Sequence, residues 1–170
     1  MDSPIELVML LASPQHRYEG RPSDGPIPPL VQETHQSIAL RAGLGVVGDR
    51  YFGQRAHRTA SVTIFAIEAL EHVERELGVR GLDPQDTRRN IVTRGLDIDR
   101  MRDQVFAIDG VRFRAHRPAN PCAWMDVTLA PGAFKALRGR GGMRCEPLDD
   151  GVLRLGPAFV TLPQAEATLF

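Results

Sequence analysis

Cys122 stands in Pro118-Ala119-Asn120-Pro121-Cys122, where two flanking prolines fix the backbone and interrupt regular pairing, so its thiol emerges from a rigid, irregular segment. Nucleophilic attack and metal ligation both require the thiolate, which nearby cations favour. Arg114, His116 and Arg117 stand just upstream and would supply such cations. The same position also fits a cysteine packed inertly into an apolar wall, and residue type alone does not separate the two readings. Cys145 lies beside Met143 inside a strand pattern and reads as the inert member of the pair.

Three further stretches carry groups able to hold an anion. Within Arg88-Arg89-Asn90-Ile91-Val92-Thr93-Arg94-Gly95, Arg88 to Thr93 reads as a strand in which Arg89 and Asn90 point to opposite faces. Burying either one inside a barrel requires a polar or anionic partner, whereas a solvated edge strand requires none. Leu137-Arg138-Gly139-Arg140-Gly141-Gly142 combines Arg140 with Gly139, Gly141 and Gly142, a pattern that suits an oxyanion nest of open amides and also suits a glycine-rich helix terminus. Gly48-Asp49-Arg50 is a tight turn in which Asp49 either caps the turn or orients an arginine of the pocket. Among the histidines, His16, His57 and His116 are candidates for a polar site, but none has a partner at metal-ligand spacing, and no structural metal is expected.

The elements that must position these groups are mostly short strands. An apolar first strand covers Ile5 to Ala12, and Ser37 to Val46 reads as a strand pair kinked at Gly43 and Gly45. Further strands are predicted at Gln104 to Ile108, Val111 to His116, Met143 to Leu148, Val152 to Leu155 and Ala158 to Leu162, with hairpin signals at Asp109-Gly110 and Asp150-Gly151. One long helix follows from the stripe Ala66, Leu70, Val73 and Leu77, with a Glu71 to Arg75 pair on its wet face and Gly78 as its stop. A short helix is expected near Gly132 to Leu137. Ser13 to Pro29 is too rich in proline and glycine for a ladder or a helix, so it reads as a long loop, either disordered or able to close His16, Arg17 and Tyr18 over a site. This pattern predicts a mainly β fold, a barrel or closed sheet with peripheral helices.

Composition narrows the partners. Lys+Arg and Asp+Glu each number 21, so no global positive field attracts a polyanion, and neither nucleic acid nor an anionic membrane is an expected partner. Lys135 is the only lysine. The other cations are arginines, whose forks match carboxylate and phosphate, which points to a local anion site. Two cysteines make no disulfide framework, and the first apolar run lacks a basic leader and the length of a membrane span; a cytoplasmic location is expected.

Taken in order, Gly45-Val46-Val47-Gly48-Asp49-Arg50-Tyr51-Phe52-Gly53, Val62 to Leu70, Arg88 to Gly95, Pro121-Cys122 and Gly139 to Arg144 resemble the MOSC domain family, named for the C-terminal domain of molybdenum-cofactor sulfurases. The resemblance covers about Gly45 to Gly156 and implies one domain over residues 1–170 with a barrel of mixed strands. It also implies that Cys122 carries sulfur as a persulfide or ligates molybdenum of a molybdopterin cofactor. Arg89, Asn90, Arg140, Gly139, Gly141 and Gly142 would then grip the cofactor, with Asp49, Arg50 and His57 beside them. A sulfur donor or an electron-transfer protein would be the partner. Pyridoxal phosphate belongs to the family at large and is assigned to no residue here. Members that reduce N-hydroxylated compounds typically follow the Gly-Asp motif with His-Gly-Gly and an acidic residue; Arg58-Thr59-Ala60-Ser61 stands there instead, and no accompanying barrel or ferredoxin-like module is expected. Sulfur or cofactor carriage is therefore the expected role, with a molybdenum-dependent reductase and a non-catalytic delivery module as alternatives.

Overall fold

The computed structural model describes residues 1–163. In chain order the elements are β1 (Asp2–Leu10), β2 (Ser37–Arg41), β3 (Gly45–Val46), β4 (Val62–Ala66), α1 (Ile67–Leu77), β5 (Ile91–Arg94), β6 (Val105–Ile108), β7 (Val111–Pro118), α2 (Trp124–Thr128), α3 (Ala133–Ala136), β8 (Met143–Pro147), β9 (Gly151–Arg154) and β10 (Gly156–Thr161). Seven of the ten strands close a barrel in the order β1-β10-β6-β7-β8-β4-β5, while β3, β2 and β9 form a separate three-stranded sheet. The β4 and β5 strands pair in parallel and the other barrel pairs are antiparallel, so the barrel is of the expected mixed kind. Among the described residues no helix is long and apolar enough to cross a membrane.

Alternation explains how the barrel fills. Val111, Phe113 and Ala115 of β7 point inward while Arg112 and Arg114 face water. On β4 every residue is buried, because Val62, Ile64 and Ala66 face the interior while Phe65 packs outward under α1. A register shift between Leu7 and Met9 swaps parity on β1: Ile5 and Leu7 face in, then Leu10 does, leaving Met9 and Leu11 in the outer cluster with Ile67, Leu70, Val73, Trp124 and Met125. Gly78 closes α1 in the left-handed conformation.

Several local expectations are corrected. Arg88 and Arg89 precede β5 rather than belong to it: Arg88 ends a 3-10 turn with φ 59°, which a strand cannot contain. Asp109-Gly110 does join β6 to β7 as a hairpin, but Asp150-Gly151 does not make a second one. There β9 leaves the barrel to pair with β2, and a Cβ on Gly151 would lie 2.5 Å from Val111, so this glycine answers a close approach rather than a hairpin turn. Glu71 bonds Arg94 at 2.6 Å instead of Arg75.

The long loop is stitched down rather than loose. Buried Glu33 accepts from Arg17 at 3.0 Å and also from Arg88, and Arg88 donates a further bond to the Gln15 carbonyl at 2.7 Å. Tyr18 stacks on Trp124 with ring centres 5.1 Å apart. Asn90 performs a similar stitch within the barrel. Its carboxamide oxygen accepts from the Thr63 N–H at 2.9 Å and from the Thr63 hydroxyl, and its amide donates to the Leu11 carbonyl at 3.1 Å, joining the β1, β4 and β5 regions.

Replacing Asn90 by Ala leaves buried partners unpaired, and we expect a loss of about 3 kcal/mol, seen as a fall in Tm of roughly 6–12 °C. The pH dependence follows from Glu33. Burial raises its pKa, but the bonds from Arg88 and Ser13 and the charges of Arg88 and Arg17 outweigh that and hold the carboxyl below its usual 4.5. Its stabilisation is therefore present above pH 4.5 and lost as pH falls through the lower folded value. Glu33→Gln should cost about 3 kcal/mol at pH 7, with the gap to wild type narrowing in acid, as read by urea melts at both pH values.

Candidate functional site

The cavity that contains Cys122 forms outside the barrel wall, where six parts of the chain converge. The long loop brings His16, Arg17 and Tyr18, the turn after β3 brings Arg50 and Tyr51, the segment before β5 brings Thr87, Arg88 and Arg89, and strands β4 and β8 bring Thr63 and Arg144. Cys122 and Met125 complete the lining of a space of about 120 Å³. Cys122 is exposed, whereas Cys145 is fully buried inside the barrel, where burial pushes its thiol up and away from the thiolate form.

Arg89 sets the position of the thiol segment. Its Nε donates to the Gly141 carbonyl at 3.0 Å and its Nη2 to the Ala119 carbonyl at 3.0 Å, three residues ahead of Cys122. The Ala119 N–H in turn donates to the Gly142 carbonyl at 2.8 Å, and the Gly142 N–H to Asp99 at 2.9 Å. A Cβ on Gly141 would lie 2.0 Å from the Ala119 carbonyl oxygen, and one on Gly142, at φ 86°, would lie 2.2 Å from that of Ile64. The glycines thus let three backbones touch. That contact accounts for Gly141 and Gly142, while Gly139 has open space around it and a left-handed φ of 72°.

Asp49 is buried and accepts from the Ser13 N–H and from Arg50, both at 3.1 Å, while Arg50 lies over the Tyr51 ring at 4.7 Å. Tyr51 also packs against His57, ring centres 4.7 Å apart, which places His57 behind the cavity wall rather than in it. Asn90 lies inside the protein with its groups spent on Thr63 and Leu11. Arg140 and Gly139 are not brought to Cys122. Arg140 lines a second cavity, of about 500 Å³, with Glu68, His72, Arg75, Asp97 and Asp99, because the chain turns over between Leu137 and Gly141.

The cations that share the cavity with the thiol are also not those just upstream of it. Arg114 and Arg117 face outward from β7, His116 bonds Glu146 at 3.0 Å, and none of the three lines the cavity. Their place is taken by Arg50, Arg89 and Arg144, from distant parts of the chain. Burial and the neighbouring Arg144 push the Arg89 guanidinium down to about 10, so it remains a cation at neutral pH. Burial lowers Arg144 as well, with Arg117 and Arg50 adding repulsion, while the Cys122 charge acts on both guanidiniums in the opposite sense. Among the described residues Arg89 and Arg144 have no carboxylate partner, and the Arg144 guanidinium makes no hydrogen bond. Arg144 was open to discovery from sequence: between inward Met143 and Cys145, alternation turns it to the outer face of β8, the face that carries the cavity. No group of three His, Cys, Asp or Glu side chains among the described residues is placed to hold a metal ion.

Comparison with known proteins agrees with this architecture. No curated protein matches the chain. The YuaD protein of Bacillus subtilis superposes with a TM-score of 0.72 over 96% of this chain and 99% of its own, at 16% identity. YiiM of Geobacillus stearothermophilus gives 0.65 at 14% identity, covering 97% of this chain and 78% of its own, and YiiM of Escherichia coli gives 0.61 at 16% identity, covering 99% and 73%. At these identities the likeness concerns the fold. A family model, the MOSC domain, matches residues 47–159, a span that holds the barrel strands β4 to β8, the Arg89 clamp and Cys122, and the chain therefore belongs to the MOSC domain family.

Proposed function

We propose that this protein is a sulfur carrier or molybdenum-cofactor-binding domain in which Cys122 holds sulfane sulfur as a persulfide or bonds to the metal. The observation that carries the reading is the single cavity uniting the exposed Cys122 thiol with Arg89 and Arg144, two guanidiniums that lack carboxylate partners among the described residues. A persulfide ends in an anionic sulfur, and a molybdopterin ends in a phosphate; either one would meet the same two cations.

The donor set fits that cofactor in part. A space of about 120 Å³ is smaller than the roughly 300–1,000 Å³ of sites that enclose a whole small molecule, so it suits the anionic end alone. Arg89, Arg144 and Arg50 would hold that end, Cys122 would meet the metal, and His16 and Tyr18 on the long loop would flank the remainder. When bound, the cofactor supplies the redox chemistry. The chain's own part is to present the thiol, to balance negative charge with fixed guanidiniums, and to keep the Cys122 segment in place through the bonds from Arg89 to Ala119 and Gly141.

Protein purified from a molybdate-fed host should contain bound pterin or cyanolysable sulfur, measured by oxidised-pterin fluorescence and by thiocyanate formation. Cys122→Ser should remove the signal and Cys145→Ser should keep it. Absence of both signals from wild type would refute the reading.

A further inference from the structure

The arrangement of charge around Cys122 also bears on where its sulfur comes from, an inference that rests on the sulfur-carrier reading above. Arg89 uses Nε and Nη2 on the Gly141 and Ala119 carbonyls, and its Nη1 lies 3.5 Å from the Thr87 carbonyl. The Arg144 guanidinium makes no hydrogen bond or ion pair among the described residues, although the residue is only part-exposed on the cavity wall. Two like charges held together out of bulk water are costly, and an anion seated between them offsets that cost. The cavity's 120 Å³ compares with a water's share of about 30 Å³, so a tetrahedral oxyanion fits it well.

One kind of small molecule matches both the cations and the thiol: a sulfane sulfur joined to a sulfonate. We propose that Cys122 is loaded by a thiosulfate-type donor whose sulfonate end is bound by Arg144 and Arg89. In the loading step the Cys122 thiolate attacks the outer sulfur. A new S–S bond forms to Sγ as the bond to the sulfonate sulfur breaks, and the electron pair leaves with sulfite. A thiolate and a dianion become a persulfide anion and a dianion, so charge and atoms balance without an outside oxidant or reductant. During the step negative charge moves from Sγ toward the departing sulfite. Guanidiniums already fixed at that end stabilise the transition state more than the free thiolate. Cyanide, as the test acceptor, then takes the outer sulfur as thiocyanate and returns the thiolate.

Purified full-length chain is incubated with thiosulfate. The expected result is release of one sulfite per chain, gain of the mass of one sulfur atom on the peptide containing Cys122, and thiocyanate on adding cyanide, with sulfate as a competitive inhibitor. Arg144→Gln should lower kcat/KM for thiosulfate by on the order of tenfold or more, mainly through KM, and Arg144→Lys should recover part of it, with both variants checked for unchanged melting. Arg102→Gln, a surface arginine outside the cavity, should behave as wild type. If wild type is isolated with cyanolysable sulfur on Cys122 but releases no sulfite from thiosulfate, the donor assignment falls and the carrier reading stands. Saturable binding of inorganic phosphate without sulfite release likewise overturns the donor and assigns the cations to a cofactor phosphate. Equal kcat/KM in wild type and Arg144→Gln overturns the sulfonate role of Arg144. If Cys122 carries no sulfur on isolation and accepts none from thiosulfate or from inorganic polysulfide, both readings fail.

Discussion

The site depends on the Arg89 guanidinium and the two carbonyls it holds. One side chain ties the segment before Cys122, through Ala119, to the glycine loop ahead of β8, through Gly141. Each bond is charge-assisted, and the pair fixes the spacing of two backbones that beyond the end of β7 share only the bond from the Ala119 N–H to the Gly142 carbonyl. Without Arg89 the segment would keep only that single backbone bond. The residue is thus both a clamp and part of the cavity wall. Its remaining charge is directed to the same space as the thiol.

Around that clamp the barrel supplies rigidity and the loops supply chemistry. The β4 and β8 strands place Thr63 and Arg144 side by side in register, Asn90 secures the edge shared by β1, β4 and β5, and the packed interior of Ile64, Phe106, Phe113 and Ile91 keeps those strands from shifting. The long loop then arrives from the other side. Glu33 pairs with both Arg17 and Arg88, and Asp49 pairs with Arg50, so these carboxylates are already engaged by other arginines. Arg89 and Arg144 are left to whatever anion enters.

Much of this was legible in the residues, for physical reasons that differ from place to place. The alternation of Val111, Phe113 and Ala115, the Asp109-Gly110 turn, and the stripe Leu70, Val73 and Leu77 ended by Gly78 are all local patterns, and each forms as expected. Asp150-Gly151 carries the same dipeptide as the true hairpin but a different outcome, since β9 finds its partner in β2, more than a hundred residues earlier. Arg88 and Arg89 look like strand residues until the left-handed turn at Arg88 places them ahead of β5. The glycine run suggested a ligand nest because its close approach is to other backbones, which no local pattern reveals. Of the candidate site residues, Cys122, Arg89 and Arg50 meet in one cavity, with Asp49 holding Arg50; Asn90 serves the barrel and Arg140 a separate cavity. Thr63 and Tyr51 join through long-range packing, and Arg144 through the alternation of β8, which turns it to the cavity face.

The central electrostatic claim is that the Cys122 sulfur faces a fixed positive field. Alkylation by iodoacetate and by iodoacetamide measures it directly, because the ratio of the two rates cancels the fraction of thiolate and leaves the effect of the reagent's charge. Cys145 is sealed in the barrel and does not compete. The account predicts an iodoacetate-to-iodoacetamide ratio several-fold above that of a free small thiol at low salt, falling toward it as salt is added. A ratio equal to or below that of the free thiol, independent of salt, would contradict it.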